Sequence, residues 1–391
     1  MPPLLDILQS QPPFAAFLAD IAELGVRPVQ QGGLRYGVIA ARSNPRWWLV
    51  PLDNRRAAAS GFEMLQPVTA TARIAKVGAQ TLARFGPHWF LGKGTVRLST
   101  LPDLGGAFDD AATQVAYFTG TDGPHRKTAV QVMSSAGDIL GYAKLSRAAH
   151  LRPYLRNEAD MLARMAQLSL SSADFPRPIV ARETDGLSLL VTDSLKTWAH
   201  SAPLTPDSRH RAFLEELQAR TGSRGAQPVL DWIEGQAQAL SPVAGTAWQA
   251  RLIQASDRLR PMAKGMALCL AHGDFTPWNT FVQGDRLYVF DWEYAQPAWP
   301  VGFDLAHFLL ATMPPAAQPG RLPTLLETLA DSHFQGDRPA AHAALLLSLA
   351  CHACFYLERL SEVQLPLQEW IDGSVRAALI DQLLAVPEDT A

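Results

Sequence analysis

One stretch of the chain, residues 272–279, has the sequence HGDFTPWN, and Asp291 follows twelve positions after Asn279. Between the two lie short apolar runs on either side of Gly284-Asp285, a pattern that predicts a β-hairpin. If that pair forms a two-residue turn, residue 279 pairs with residue 290, and Asn279 and Asp291 lie at the same open end. Strict pairing would aim their side chains at opposite faces, so we expect a bulge or a longer loop to let both reach one ion.

Asn279 and Asp291 carry the kind of side chain that Mg²⁺ prefers, because an amide oxygen and a carboxylate are hard oxygen ligands. Asp274 lies five positions before Asn279, on the loop that precedes the hairpin, where its carboxylate could face an acceptor hydroxyl. A second interpretation is a metallohydrolase, in which His272, Asp274, Asp291 and Asp304 ligate a metal directly. A third is a satisfied core histidine among scattered surface acids.

A second pair of charged residues lies upstream, in a region where strands predominate. Lys144 ends the third predicted strand of this region, and Glu158 follows fourteen positions later in a predicted helix. Glu158 falls on the same helical face as three apolar residues, Leu155, Leu162 and Met165. A charge within an apolar stripe needs a partner, and Lys144 is the obvious one. Alternatively, Glu158 lies at the edge of the helix and reaches solvent.

The motif at 272–279, with its hairpin and following aspartate, resembles a known arrangement. It is similar to the catalytic loop and metal-binding motif of the protein-kinase-like small-molecule kinases, the aminoglycoside phosphotransferase and choline kinase family. Two further stretches, DWEYA at 291–295 and GFDLAHF at 302–308, look like the segment after the metal aspartate in choline-kinase-like members. The resemblance covers roughly residues 111–391. It implies an enzyme that transfers the γ-phosphoryl group of ATP to a hydroxyl of a small molecule.

The resemblance also implies roles for the residues around the catalytic loop. Asp274 would be the catalytic base or the carboxylate that orients the acceptor. Asn279 and Asp291 would hold Mg²⁺, and His272 and Asp304 would buttress the loop by hydrogen bonds. Only thirteen positions separate Asp291 from Asp304, which leaves no room for a long activation segment and argues against a regulated protein kinase.

The nucleotide side of the site follows from the same resemblance, since a kinase-like enzyme holds the α/β-phosphates with a lysine that a glutamate positions. Lys144 would orient the phosphates, with the upstream glutamate as its partner. Gly120 and Gly123 lie in the turn between the first two strands of the region, where backbone N–H groups could cradle phosphate. They do not form G-x-G-x-x-G, and an ordinary hairpin turn fits nearly as well. The hinge position, where backbone groups would bind adenine, is occupied by Asp193 and Ser194.

These observations predict an α+β protein with a protein-kinase-like two-lobed fold and an extra N-terminal α+β domain. Residues 111–195, where three strands, a helix and two strands are predicted, would form an antiparallel β N-lobe that binds ATP. Residues 196–391, mostly helical in pattern, would form a C-lobe with the catalytic loop, the metal and the acceptor site. Residues 1–110 would form a domain of their own, for acceptor binding or as a scaffold.

The composition limits the possible partners and the location. The chain has 391 residues, of which 48% are apolar and 18% charged, as in a folded protein with a sizeable core. A net charge of −3 argues against a nucleic-acid-binding domain. The longest apolar run, near Ala343–Leu357, is interrupted by polar residues and is too short to span a bilayer. Three cysteines, a small and odd number, favour a reducing compartment, so we expect a cytoplasmic protein.

The distribution of charge bears on the acceptor. Residues 285–391 contain five arginines, no lysine and fourteen acidic residues, a net charge of −9, whereas the first 284 residues carry +6. An acidic C-terminal part favours a cationic small molecule. We therefore expect an acceptor that bears an amine, such as an aminoglycoside or choline, or else a saccharide. A kinase-like binding or scaffold protein with weak catalysis is the alternative.

Two further patterns admit a functional and a structural interpretation. Cys351 and Cys354 have C-x-x-C spacing, but they lie in a long apolar helix and a structural zinc site usually needs four ligands. We therefore expect buried helix residues. Six aromatic residues could cage a quaternary ammonium group or belong to the core: Trp292, Tyr294, Trp299, Phe355, Tyr356 and Trp370.

Overall fold

The structure is a computed structural model that describes residues 4–41, 45–65, 70–85, 94–108, 111, 113–197 and 202–386. The chain forms two compact units. The first comprises Met1–Gln167 and Phe175–His200, and the second comprises Leu168–Asp174 and Ser201–Ala391. The chain thus enters the second unit briefly, returns to the first, and enters the second again after residue 200.

The strands are numbered along the chain. They are β1 (Leu34–Ala40), β2 (Trp47–Pro51), β3 (Thr95–Leu98), β4 (Gln114–Phe118), β5 (Thr128–Met133), β6 (Ile139–Ser146), β7 (Ala173–Asp174), β8 (Pro178–Glu183), β9 (Ser188–Asp193), β10 (Ser223–Arg224), β11 (Ala267–Ala271), β12 (Thr280–Gln283), β13 (Arg286–Val289) and β14 (Gln296–Pro300).

The α-helices are numbered in the same way. They are α1 (Leu4–Gln9), α2 (Pro12–Ala22), α3 (Arg55–Gly61), α4 (Ala70–Phe85), α5 (Arg152–Leu168), α6 (Ser208–Thr221), α7 (Gln227–Ala239), α8 (Ser241–Leu259), α9 (Phe303–Thr312), α10 (Leu322–His333), α11 (Arg338–Glu362) and α12 (Gly373–Ala385).

The first unit is built on one eight-stranded sheet with the order β3-β1-β2-β4-β5-β6-β9-β8. All neighbouring strands in it are antiparallel. Strand β6 lies between β5 and β9, so Lys144 is paired with Ala129 on one side and Leu190 on the other. The antiparallel sheet here and the mainly helical second unit confirm the predicted α+β class.

The expected separate domain over residues 1–110 differs from what the structure shows. Strand β2 pairs with β4 through Trp48 and Leu49, so β1–β3 continue the sheet formed by β4–β9. The reason lies in β2, where Leu49 and Val50 are both fully buried, on opposite faces. Consecutive apolar residues are both buried only when a strand lies in a sheet that is covered on both sides. Residues 109–110, where we expected the boundary, lie outside the described residues.

The two faces of this sheet have different covers. On one face, Phe14 and Phe17 of α2 pack edge-on against Trp47 and Tyr117, with ring centroids 5.6 Å apart in each pair. On the other face, α3 places its buried alanines against Val50 and strands β4 and β5. The first hundred residues therefore supply part of the core of the unit in which Lys144 lies.

The second unit contains two three-stranded sheets, β10-β11-β14 and β12-β13-β7, and helices α6–α12. Helix α11 is its central element and packs against α7, α8, α9, α10 and α12. With 25 residues, α11 is longer than the apolar run in the sequence suggested, and it could cross a membrane by length and composition alone. However, 89% of its most apolar window is buried inside the protein, as expected for a core helix.

The cysteine pair of α11 lies in this core. Cys351 and Cys354 are fully buried, and burial raises the pKa of both thiols. Neither forms a disulfide, and Cys269 is also a free thiol. The interpretation of the C-x-x-C pattern as buried helix residues is confirmed.

Candidate active site

The hairpin predicted downstream of Asn279 is confirmed. Strands β12 and β13 pair from Thr280↔Val289 to Gln283↔Arg286, which leaves Gly284 and Asp285 as the two-residue turn. The regular pairing continues one step further, because the Phe290 N–H donates to the Asn279 carbonyl at 3.1 Å. Asn279 and Asp291 therefore lie at the open end of the hairpin, as the spacing predicts.

The expected bulge is replaced by a change in backbone conformation at Asp291 itself. Asp291 has a φ of 71°, in the left-handed region that residues with a side chain rarely adopt. The strict alternation of side chains therefore ends at Phe290, and Asp291 is not forced onto the face opposite Asn279. Such strain persists only where the surrounding structure imposes it, and it is concentrated at functional sites.

Asp304 fixes the first residues of the catalytic loop. It lies in the first turn of α9, is buried, and accepts hydrogen bonds from the His272 N–H at 2.7 Å and the Gly273 N–H at 3.1 Å. Burial raises the pKa of this carboxyl, while the two backbone N–H donors of His272 and Gly273 oppose the rise. The predicted hydrogen-bonded support from Asp304 is thus present in the structure.

His272 connects the loop to the hairpin. Its Nδ1 accepts the Asp274 N–H at 3.2 Å, so its Nε2 carries the proton and donates to the Phe290 carbonyl at 3.0 Å. The ring is fully buried, 4.6 Å from the Trp292 ring. One imidazole therefore sets the position of Asp274 relative to the residue preceding Asp291. Since both ring nitrogens are used in this way, His272 is not a metal ligand here, which removes one member of the metallohydrolase set.

Gly273 is the loop position that no other residue can fill without strain. Its φ is +83°, and a Cβ at this position would lie 2.1 Å from the Tyr294 carbonyl oxygen. The close approach brings the loop against the segment that follows Asp291. A glycine permits both the left-handed backbone and the missing Cβ.

Asp274 is held by a side chain on each carboxylate oxygen. The Asn279 Nδ2 donates to Oδ2 and also to the Asp274 carbonyl, both at 2.9 Å, and the His307 Nε2 lies 3.0 Å from Oδ1. The carboxylate keeps 29% of its surface exposed. It is therefore fixed in orientation and still accessible, which is what a base or acceptor-orienting group requires.

His307 is the residue in this group for which the sequence analysis predicts no role. It occurs in the stretch GFDLAHF, on α9, one turn after Asp304. Residues i and i+3 lie on the same helical face, so the position of Asp304 at the loop was a signal that His307 also faces it. Its side chain is only 9% exposed.

The donor set at the end of the hairpin fits a magnesium ion. Because Nδ2 of Asn279 donates to Asp274, the amide oxygen is the atom that remains for a cation. Asp291 is partly buried and supplies a carboxylate. Hard oxygen donors with room for waters and phosphate oxygens are the set that Mg²⁺ takes in proteins.

The predicted ion pair of the first unit is present. Lys144 Nζ lies 2.7 Å from both carboxylate oxygens of Glu158. The Glu158 side chain is 3% exposed and that of Lys144 is 23% exposed. Leu155, Leu162 and Met165 are buried beside Glu158 on α5, as the periodicity predicts. The alternative in which Glu158 reaches solvent is wrong.

Gly120 and Gly123 lie in the connection between β4 and β5, both at positive φ. At Gly120 a Cβ would lie 2.4 Å from the Lys127 carbonyl oxygen, so this glycine is required by the turn itself. The Thr119 hydroxyl before it accepts the Trp47 N–H of β2 at 2.9 Å. These contacts account for the turn without a phosphate, and phosphate binding by it stays a prediction.

At the predicted hinge, the backbone N–H groups of Asp193 and Ser194 bind other parts of the protein. The Asp193 N–H donates to the Arg177 carbonyl at 3.0 Å, and the Ser194 N–H donates to the Leu140 carbonyl at 3.1 Å. The Asp193 carboxylate accepts the Arg177 N–H at 2.6 Å. Because both main-chain donors are used within the protein, neither is available to adenine.

A comparison with known proteins gives the family. A model described as the phosphotransferase enzyme family matches residues 117–344, which is more than half of the chain and includes both groups of site residues. No curated protein matches the chain.

Solved structures show weak overall similarity. A thermostable mutant of aminoglycoside phosphotransferase APH(4)-Ia, in its apo form, is 13% identical, with a TM-score of 0.47 over 70% of this chain and 94% of that one. A choline/ethanolamine kinase family protein from Mesorhizobium loti is 14% identical, with a TM-score of 0.46 over 67% and 86% of the two chains. The family assignment is based on the match to residues 117–344 and not on these structural similarities.

Proposed function

The chain belongs to the phosphotransferase enzyme family, and from that premise we propose that it transfers the γ-phosphoryl group of ATP, with Mg²⁺, to a hydroxyl of a small molecule. The observation that carries the proposal is the fixed carboxylate of Asp274. His307 and Asn279 hold its two oxygens, and His272 and Asp304 hold the loop on which it lies.

In this proposal Asp274 receives or orients the proton of the acceptor hydroxyl. The transition state of phosphoryl transfer is loose, so the enzyme acts mainly by positioning the reactants and neutralising charge. A carboxylate that is held on both oxygens loses little orientational freedom when the acceptor binds. Part of its side chain stays exposed, so the carboxylate remains able to accept the hydroxyl proton.

Asn279 and Asp291 would hold Mg²⁺ through the amide oxygen and the carboxylate. When bound, the ion neutralises charge on the phosphate oxygens. The left-handed backbone at Asp291 supports this assignment, because it releases the carboxylate from the alternation of β13. His272 would keep the two ligands in register through its bond to Phe290.

Lys144 would contact the α/β-phosphates, with Glu158 holding its ammonium group in place. The pair is formed by packing within the first unit alone. A buried carboxylate on α5 would leave Lys144 only a small range of positions. This is the arrangement that orients the nucleotide in kinase-like enzymes.

The short segment between Asp291 and Asp304 supports a small-molecule acceptor. Strand β14 and the first residue of α9 occupy half of it. A protein kinase needs a longer segment there, which becomes ordered and binds its polypeptide substrate.

We place the reaction in the cytoplasm, in keeping with three free cysteines.

The test is mass spectrometry of a reaction that contains the protein, Mg-ATP and a pooled panel of hydroxylated small molecules. The panel should include amines, neutral sugars and hydroxy acids. We expect a product heavier by one phosphoryl group with the native protein. The control variant Asp381→Asn, which changes an exposed residue, should give the same product. Asp274→Asn should give no product while still binding ATP. Equal product from Asp274→Asn would remove Asp274 from the mechanism, and absence of nucleotide binding by the native protein would refute the proposal.

A further inference from the structure

A group of buried polar side chains lies behind Asp274, on helices α9 and α11 and at the start of α12. The His307 ring, which contacts Asp274, lies 5.4 Å from the ring of His352. His352 lies 4.6 Å from Tyr356, which stacks on Trp370 at 5.5 Å with the ring planes 9° apart. The carboxylate of Asp274 is thus connected, through His307, to a cluster of buried side chains.

Arg376 is the charged member of this cluster. Its side chain is 3% exposed, and its Nη1 donates to the Gln318 Oε1 at 2.8 Å. Gln318 is fixed in turn, because its Nε2 donates to the Leu310 carbonyl at 2.9 Å. One side of the guanidinium is therefore held by a neutral amide that is itself anchored at the end of α9.

On the other side of the guanidinium, the part of the chain that the structure describes supplies no hydrogen-bond acceptor. Among the residues that the structure describes, none accepts a hydrogen bond from Arg376 Nε, and no carboxylate forms an ion pair with the guanidinium. Asp372, four positions earlier, acts on it only at longer range. Nε and Nη2 together form the edge with which arginine binds carboxylates and phosphates in a bidentate manner.

His352 shows the same lack of partners. It is 6% exposed, and neither ring nitrogen has a hydrogen-bond partner among the described residues. Burial, and then the positive charge of Arg376, lower its pKa well below the usual value, so the ring is neutral and carries one N–H. Buried polar groups are nearly always hydrogen-bonded. A histidine and an arginine that both have unused donors in one cluster are suited to an oxygen-rich ligand.

Tyr356 connects this cluster electrostatically to the reacting end of the site. Burial raises the pKa of its hydroxyl, the negative charge of Asp274 raises it further, and the positive charges of Arg359 and Arg376 lower it. Asp274 and Arg376 therefore act on the same hydroxyl from their two positions. A small molecule that spans them would place its hydroxyl at Asp274 and its other end at Arg376.

Three of the aromatic residues that could have caged an ammonium group contact an arginine of the protein instead. The guanidinium of Arg359 lies over Tyr294 at 4.7 Å, over Tyr356 at 5.4 Å and over Phe355 at 5.6 Å. The protein's own cation thus occupies the ring faces on which a quaternary ammonium would bind. Two arginines in this region repel a cationic acceptor, although the C-terminal part of the chain is acidic.

From this geometry, and resting on the proposed function, we propose that Arg376 and His352 form a subsite for an oxyanion of the acceptor. The acceptor is then a hydroxylated carboxylic acid or phosphate monoester, not an amine. The guanidinium edge of Arg376 binds two oxygens of the anion, and the His352 N–H supplies a third donor. The acceptor hydroxyl lies at Asp274.

The test measures anion binding with the nucleotide site already filled. The native protein is saturated with Mg-AMP-PNP and titrated separately with inorganic phosphate and with glycerate, while the ring signals of carbon-13-labelled histidines are followed by NMR. We expect the His352 signal to shift with at least one anion. Arg376→Gln should weaken that binding at least tenfold and His352→Phe at least threefold. The exposed control Arg338→Gln should bind as the native protein does.

The two arms distinguish the source of the oxyanion, since a response to phosphate alone indicates a phosphate monoester and a response to glycerate alone indicates a carboxylate. Either response, if lost in Arg376→Gln, supports the proposal. The proposal is overturned if neither anion shifts the His352 signal, or if Arg376→Gln binds as tightly as the native protein. Failure of the proposed function itself would show separately, as an absence of Mg-AMP-PNP binding.

A stability measurement excludes a purely structural role for Arg376. A guanidinium that lacks an anion is costly to bury, so Arg376→Met should melt at the same temperature as the native protein or higher when no anion is present. Added phosphate or glycerate should raise the melting temperature of the native protein and not that of the variant. A large fall in melting temperature, or failure to fold, would show that Arg376 is needed for the fold and would overturn the proposal.

Discussion

The carboxylate of Asp274 and the imidazole of His307 meet at 3.0 Å, although 33 positions separate them in the chain. His307 comes from α9, whose first turn also carries Asp304, the residue that binds the catalytic loop. One helix therefore fixes the loop backbone and the carboxylate that the loop presents. This places His307 among the residues that position Asp274, since it contacts that carboxylate directly.

The first prediction concerns this contact. His307→Phe keeps a ring of similar size but removes the N–H, so Asp274 would lose one of its two restraints. We expect kcat to fall on the order of ten- to a hundredfold, with an unchanged KM for ATP. His307→Gln, which restores a donor, should recover part of the loss. Steady-state kinetics of the two variants check the prediction, and equal activity of His307→Phe and the native protein would contradict it.

The second prediction concerns the proposed metal ligands. Asp291→Ala removes a carboxylate at the open end of the hairpin, so the increase in nucleotide affinity that Mg²⁺ gives should be lost. The matched control is Asp285→Ala, an exposed aspartate in the turn of the same hairpin. Calorimetric titration of AMP-PNP with and without Mg²⁺ measures the difference. A magnesium effect of native size in Asp291→Ala would show that the ion is held elsewhere.

The third prediction separates the structural and functional roles of the Lys144–Glu158 pair. Lys144→Ala leaves a buried carboxylate without its cation, which should lower the free energy of unfolding by about 3–5 kcal/mol. Lys144→Ala combined with Glu158→Ala removes that charge and should recover much of the stability. Both should raise the KM for ATP, because the phosphate contact is absent in each.

Denaturant unfolding and ATP kinetics of these variants provide the test. The control is Arg156→Ala, because Arg156 lies on the same helix with 64% of its side chain exposed and contacts Glu183 at 2.7 Å. Such exposed pairs contribute about 0–1 kcal/mol. If the double variant used ATP normally, the pair would be structural only.

The fourth prediction concerns the loop glycine. Gly273→Ala would place a Cβ 2.1 Å from the Tyr294 carbonyl oxygen at a φ of +83°, so the loop must move or strain. We expect a loss of about 1–3 kcal/mol of stability and a loss of most activity. The control Gly235→Ala lies in helix α7, where nothing lies within 4 Å of the added atom, and should stabilise by about 0.5–1 kcal/mol. Thermal unfolding compares the two, and similar melting temperatures would contradict the prediction.

The fifth prediction concerns acid stability. Burial would raise the pKa of Glu216, but the N–H and hydroxyl groups of Ser171 and Ser172 hold it at about 2. Because the folded pKa lies below the unfolded value of 4.5, the unfolded state binds more protons in this interval. The stabilisation is complete above pH 4.5 and is lost as the pH falls towards 2.

After an allowance for partial exposure, this contribution is about 1–2 kcal/mol. Glu216→Gln should lower the stability at neutral pH by this amount and flatten the loss between pH 4.5 and pH 2. Glu215→Gln, an exposed neighbour on the same helix, should leave the profile unchanged. Urea unfolding at several pH values measures both. A native profile for Glu216→Gln would rule out these hydrogen bonds as its source.

The parts of the site that could be predicted depend on local spacing. The register of β12 and β13 follows from a two-residue turn, which fixes every pair up to Asn279 and Phe290. The Lys144–Glu158 pair follows from one strand, one helix and the need of a buried charge for a partner. In both cases the decisive residues lie within about fifteen positions of each other.

The parts that could not be predicted depend on contacts between distant segments. The pairing of β2 with β4 joins residues some seventy positions apart, and no local pattern specifies such a partner. The expected cationic acceptor rests on the net charge of residues 285–391 and stays a prediction. That sum does not show which side chains face inward, and Arg359 and Arg376 lie among the aromatic residues near Asp274.

The place of β2 in the sheet also has a consequence for any shortened form of the chain. A protein that began at residue 111 would keep every residue matched by the family model, yet β4 would become an outer strand with its N–H and C=O groups unpaired. Val115 and Tyr117, now fully covered, would lose the neighbours that α2 and β2 supply. An exposed apolar strand edge pairs readily with other chains. Residues 1–110 thus cover this strand edge and protect the chain from self-association. We expect their removal to cause aggregation that prevents a measurement of catalysis.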